Sequence, residues 1–128
     1  MQLGYVIIYV PQVANTMAFY EKAFGLKQWF LHESGDYGEM ETGATRLAFA
    51  SEALRDGKGI NTLNNRPTDK PAGVEIALVA SDVTAQYKKA VANGATAIKK
   101  PTSKPWGQIV AYVRDNNGFL VELCSPMD

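Results

Sequence analysis

The sequence predicts an α+β fold in which two tandem β-α-β-β-β modules form curved mixed sheets around a cleft. Three observations carry that expectation. The segment "GYVIIYVPQVANTMAFYEKAFGL" near the start is matched in pattern by "GVEIALVASDVTAQYKKAVANGA" from Gly73. Each copy is followed by strand-like runs bounded by turn residues. Between the copies lies "EALRDGKGINTLNNRPTDKPAG", whose Gly, Asn, Asp and Pro content marks an exposed connection.

One domain is expected over residues 1–128, with a first module at about 1–52, a connector at about 53–72 and a second module at about 73–128. In the first strand Val6, Ile8 and Val10 share one side and Tyr5, Ile7 and Tyr9 the other, because strand side chains alternate. A helix follows in which Met17, Tyr20 and Phe24 trace an apolar stripe and Gly25 supplies the stop. Strands are expected over about 27–33, 37–42 and 45–51; Gly43 turns the last pair, Leu47 and Phe49 face the core, and Arg46, Ala48 and Ala50 face away. The connector holds a short helical turn at Ala53 and Leu54, and its length suits a lid or an exchange of modules between chains.

The second module repeats the order. Val74, Ile76 and Leu78 face inward and Glu75, Ala77 and Val79 outward. Ser81 or Asp82 caps a helix whose apolar face is Val83, Tyr87 and Val91, and Gly94 ends it. Strands over about 96–102, 107–115 and 119–125 complete the module, the last pair joined through Asn117-Gly118 as a type I′ turn. Phe119, Val121 and Leu123 point to the core, leaving Leu120, Glu122 and Cys124 opposite. The offset that aligns Val13 with Val83 aligns Tyr5 with Glu75.

Composition excludes several classes of function. Lys plus Arg and Asp plus Glu balance at 13 each and are dispersed, which gives no electrostatic footprint for nucleic acid or an anionic membrane. The opening run lacks a preceding basic segment, and no apolar run reaches the length of a membrane span, so the expectation is a soluble cytoplasmic protein. The single cysteine, Cys124, cannot close an internal disulfide and reads as a small half-buried thiol; the single histidine, His32, has no companion at metal-ligand spacing. "DGKGIN" has neither GxGxxG spacing nor a GKS/GKT ending and is no phosphate cradle.

The outward face is too apolar to be fully wet and too polar to be plain core, and two sheets curving round it would line a concave small-molecule site. The duplicated pattern, with "FYEKAFGL", the spacer "ANGATAIKKPTSKPWGQIVAYVRDNNGFLVEL" and its terminal Glu, resembles the vicinal oxygen chelate superfamily, which includes glyoxalase I, bleomycin resistance proteins and extradiol dioxygenases. The resemblance covers nearly the whole chain and implies fold more than activity. It implies a divalent metal held by His or Gln from the first strand of each module and Glu from the last. Carried across, those positions are Tyr5, Ala48 or Ala50, Glu75 and Glu122, of which only Glu122 matches. A methyl group is no ligand and neutral tyrosine a poor one, so no cofactor is expected; two carboxylates would give a divalent cation a weak site.

Without metal, two carboxylates in a low-dielectric cleft raise each other's pKa. A single raised carboxylate then serves as a general base on an acidic carbon, the pair as a receptor for a cationic or hydrogen-bond-donating ligand, or each as a partner of Arg46, Arg114 or Tyr5. Among the rings, Trp106, Tyr112, Tyr9 and Trp29 are candidates to stack on a planar ligand; Trp106 is equally a packing anchor or dimer contact, and Trp29, on an expected edge strand beside Phe30, reads more as core than cleft. The expected function is a metal-independent small-molecule-binding protein using Tyr5, Tyr9, Glu75, Trp106, Tyr112 and Glu122. The alternative is a glyoxalase-like lyase, isomerase or dioxygenase with Glu122, aided by Glu75, as metal ligand or base. A homodimer is the expected assembly.

Overall fold

The computed structural model describes residues 1–127 of the chain, which fall into two compact units, Met1–Asn64 and the residues from Asn65 onward. The first contains β1 (Tyr5–Val10), α1 (Val13–Phe24), β2 (Gln28–Leu31), β3 (Tyr37–Met40), β4 (Arg46–Ser51) and α2 (Glu52–Gly57). Its sheet runs β1-β4-β3-β2, with β1 parallel to β4 and the remaining pairs antiparallel. The α1 crossover makes the parallel pairing reachable, since a tight turn joins only antiparallel neighbours.

Helix α1 buries Val13, Thr16, Met17, Tyr20, Ala23 and Phe24 and stops at Gly25, whose φ of 69° places it in the left-handed region while its N–H donates to the Glu21 carbonyl at 3.0 Å. The Tyr20 ring lies 4.8 Å from that of Phe49 on β4 and 5.0 Å from that of Phe24. Each such ring removed from water contributes about 1.5–3 kcal/mol. Strand β2 ends the sheet and is exposed throughout, which corrects the reading of Trp29 as core: the ring is 58% exposed, with the Arg46 guanidinium 4.2 Å over its centre. The helical turn expected at Ala53 and Leu54 is the longer α2, capped by Ser51, whose hydroxyl accepts from the Leu54 N–H at 3.1 Å.

The second unit contains β5 (Glu75–Val79), α3 (Val83–Ala92), β6 (Thr96–Ser103), β7 (Ile109–Arg114) and β8 (Leu120–Cys124). Its sheet runs β5-β8-β7-β6, with β5 parallel to β8, so the two units share one β-α-β-β-β topology. Asp82 caps α3 through the Ala85 N–H at 3.0 Å. The buried positions of α3 are Val83 and Ala90, whereas Val91 is 38% exposed. At 3.6 residues per turn the seventh residue on falls back almost beneath the first and the eighth rotates outward, so the fourfold stripe drifts off the core. Val74 precedes β5 and is exposed, while Val121, Leu123, Ala111 and Val113 form the inner face.

The β7–β8 connection is not a type I′ turn, which requires positive φ at both central residues. Only glycines have positive φ among the described residues, and here that is Gly118 at 86°. The buried Asp115 side chain captures the loop instead: its Oδ1 accepts from the N–H groups of Asn117 and Phe119, each at 2.8 Å. Arg114 fastens the neighbouring segment, donating to the carbonyls of Gly118 (2.7 Å), Arg66 (3.2 Å), Pro67 (3.3 Å) and Asp69 (2.6 Å). Among the described residues no helix is long and apolar enough to cross a membrane.

Candidate functional site

Register places the polar residues of the second unit. Lys99 on β6 pairs with Tyr112 on β7, Tyr112 with Glu122 on β8, and Glu122 with Ala77 on β5. Glu75 stands two residues before Ala77, opposite Leu120, so side-chain alternation puts it diagonally beside Glu122 on the same face. Both Tyr112 and Glu122 are half-buried, Cys124 is buried and Glu75 is exposed.

Glu122 is the common neighbour. Burial pushes the Glu75 carboxyl above the usual range, and a hydrogen-bonding contact with Glu122 and that residue's charge push it further. The Tyr112 phenol is pushed up to about 12, first by burial and then by its hydrogen bond to Glu122 and the two carboxylate charges. Burial, then the charge and hydrogen bond of Glu122, also raise the Cys124 thiol. A pocket of about 320 Å³ adjoins this group, lined by Glu75, Ile98, Lys99, Lys104, Tyr112 and Leu120.

The arginines weighed as partners of the glutamates are engaged elsewhere. Arg46 forms an ion pair with Glu41 at 2.6 Å in the first unit, and the guanidinium of Arg114 is directed at backbone carbonyls. Among the described residues no cation forms an ion pair with Glu75 or Glu122. Trp106 lines a different recess, of about 170 Å³, with Gly107, Gln108, Pro126 and Met127; it is 61% exposed and its Nε1 donates to Gln108 Oε1 at 2.9 Å. Thus Glu75, Tyr112 and Glu122 come together, and Trp106 does not join the pocket that Glu75 and Tyr112 line.

Tyr5 and Tyr9 belong to the first unit, opposite Arg46 and Ala50 on β4. Tyr5 is exposed, and the Arg55 guanidinium lies 5.6 Å from the centre of the half-buried Tyr9 ring. Sequence reasoning passed over Tyr37 and Glu39 on the same sheet. The Tyr37 hydroxyl donates to Glu39 at 2.7 Å, and burial with that bond lifts the phenol far above its ordinary range. Glu39 pairs with Ala48 as Tyr112 pairs with Glu122, and the alternation in "YGEMET" was the available signal.

The metal positions implied by the resemblance resolve by the same register. Ile7 pairs with Ala48 as Ala77 pairs with Glu122, so alanine occupies the first module's carboxylate position. Among the described residues no group of three or more His, Cys, Asp or Glu side chains is arranged to hold a metal ion. Around Glu122 stand a carboxyl, a phenol and a thiol, all raised in pKa. Metal ligation needs deprotonated donors, so a divalent cation held here would have to displace a proton from each of the three.

A family model described as the Glyoxalase/Bleomycin resistance protein/Dioxygenase superfamily matches residues 2–123. No curated protein matches the sequence at a significant level. Among solved structures, a glyoxalase-related enzyme from Fulvimarina pelagi aligns with a TM-score of 0.82 at 18% identity, covering 98% of this chain and 88% of that one. A glyoxalase/bleomycin resistance protein/dioxygenase family enzyme from Burkholderia phytofirmans PsJN gives 0.75 at 19%, with 98% of each chain covered. TioX from Micromonospora sp. ML1 gives 0.72 at 19%, again with 98% of each covered. At these identities the likeness is one of fold.

Proposed function

The chain belongs to the Glyoxalase/Bleomycin resistance protein/Dioxygenase superfamily, and from that premise we propose that it is a metal-independent small-molecule-binding protein that sequesters a small planar or cationic ligand. The observation that carries this reading is the contact of the Glu75 carboxyl with Glu122, where Glu75 and Tyr112 line a pocket of about 320 Å³. Two carboxyls sharing a proton present acceptor oxygens to an ammonium or other donor, and the Tyr112 ring supplies a face for a planar group.

Calorimetric titration with 4-methylbenzylamine, in buffer containing a chelator, tests it. The expected result is binding to the wild type that weakens by roughly tenfold or more in Glu75→Gln and in Glu122→Gln. No binding, or binding that appears only when metal is added, overturns it.

One observation favours a second reading, an enzyme of the glyoxalase-like lyase, isomerase or dioxygenase type. A carboxyl pushed toward its protonated form beside a second carboxyl is an acid and base placed together. In that case Glu122 takes a proton from an acidic carbon, Glu75 returns one, and Glu122→Gln keeps binding while losing turnover. We further propose a homodimer. Both β1 and β5 end their sheets, with Ile7 at 44% and Val79 at 66% exposure, and sedimentation at micromolar concentration should give the dimer mass.

A further inference from the structure

The pocket beside the carboxyl pair has a second chemical end. Lys104, half-buried where β6 gives way to its turn, and Lys99, paired in register with Tyr112, line it together with Glu75. Among the described residues neither lysine forms an ion pair. The turn itself is fixed, with the Lys104 N–H donating to the Gln108 carbonyl at 2.8 Å and the Gly107 N–H to the Lys104 carbonyl at 2.9 Å. Ile98, Leu120 and the Tyr112 ring supply apolar surface in the same pocket.

We propose that the ligand is a small zwitterion, with a cationic or hydrogen-bond-donating end on Glu75 and Glu122, an apolar body on Ile98, Leu120 and Tyr112, and a carboxylate on Lys99 and Lys104. This rests on the binding function argued above and adds the anionic end. Two lysines line the pocket against one lining carboxyl, Glu75, so a singly cationic ligand leaves the lysine end unsatisfied. A carboxylate there replaces water with charge-assisted hydrogen bonds. Opposite charges at the two ends of one pocket also fix the ligand's direction, and a neutral body of the same shape gains neither contact.

Calorimetry with four matched probes separates the ends: 4-(aminomethyl)benzoate, 4-methylbenzylamine, 4-methylbenzoate and 4-methylbenzyl alcohol. The expected order places 4-(aminomethyl)benzoate at least about tenfold tighter than either singly charged probe. Lys99→Ala combined with Lys104→Ala should bring the zwitterion down to the level of 4-methylbenzylamine and leave 4-methylbenzylamine itself no weaker. Lys99→Gln alone, on the solvent-exposed edge strand, should give a partial loss and guards against a folding defect in the double variant. Equal affinity for the zwitterion and the amine, unchanged in the lysine variants, overturns the anionic end while leaving the carboxyl-pair reading standing. Binding of none of the four at millimolar concentration overturns both.

Discussion

The carboxyl of Glu75 meets that of Glu122 across the parallel β5–β8 pair, two residues off the direct partner Ala77, and burial together with this contact holds Glu75 toward its protonated form. A carboxyl whose folded pKa lies above its unfolded value favours the native state while protonated and loses that contribution as pH rises through the folded value. The window therefore opens at the ordinary glutamate value of 4.5 and extends upward. Glu75→Gln cannot ionise, so its melting temperature relative to wild type should rise as pH is raised above the ordinary glutamate value of 4.5 toward neutrality. Thermal scans across that range that keep the two proteins parallel would contradict the contact.

Tyr112 titrates at about 12 because burial and its hydrogen bond to Glu122 disfavour the phenolate. Absorbance titration near 295 nm, differenced between wild type and Tyr112→Phe, should isolate one late phenol; a difference centred near the ordinary value of 10.0 would refute the arrangement.

Cys124 should be sluggish toward iodoacetamide. Its thiol is 4% exposed and raised in pKa by burial and by Glu122, so alkylation at about pH 8 should run at least about tenfold slower than a free thiol. Glu122→Gln removes the nearby negative charge and should quicken it. Equal rates in both proteins would place the carboxylate elsewhere.

The β7–β8 loop gives a stability test. A Cβ on Gly118 would lie 2.5 Å from the Arg66 carbonyl oxygen and 2.6 Å from the Arg114 guanidinium, at a φ of 86°. Gly118→Ala should cost about 1–3 kcal/mol in denaturant unfolding, and Asp115→Ala a similar amount through two unsatisfied N–H groups. A neutral result in both would mean that the loop rearranges freely.

The sequence made the duplicated topology legible because each module carries its own period switch, from alternation to helix to alternation, punctuated by Gly25 and Gly94. Parity likewise placed Glu75 and Glu122 on one face, since β5 and β8 pair without irregularity, and the regular β7–β8 register brings Tyr112 to the same face. It failed on β6, where register shifts on both sides of Lys99, in a strand that also contains Pro101, break the alternation that would have put this lysine beside Tyr112. Trp29 sits on the edge strand the sequence indicated, but its burial was misjudged because the partner over its ring, Arg46, is distant in sequence. Trp106 looked like a cleft residue from its Pro-Trp-Gly setting, yet its indole N–H turns to Gln108 in a separate recess.

Metal content of the purified protein tests the central claim most directly. Wild type and Glu122→Gln would be loaded separately with zinc, nickel, manganese and iron, dialysed and measured by elemental analysis. A metal-independent site in which the Glu75 carboxyl contacts Glu122 should retain well below one equivalent of each metal, with no difference between the two proteins. Near-stoichiometric metal in the wild type that is lost in Glu122→Gln would make Glu122 a ligand and contradict the metal-free account.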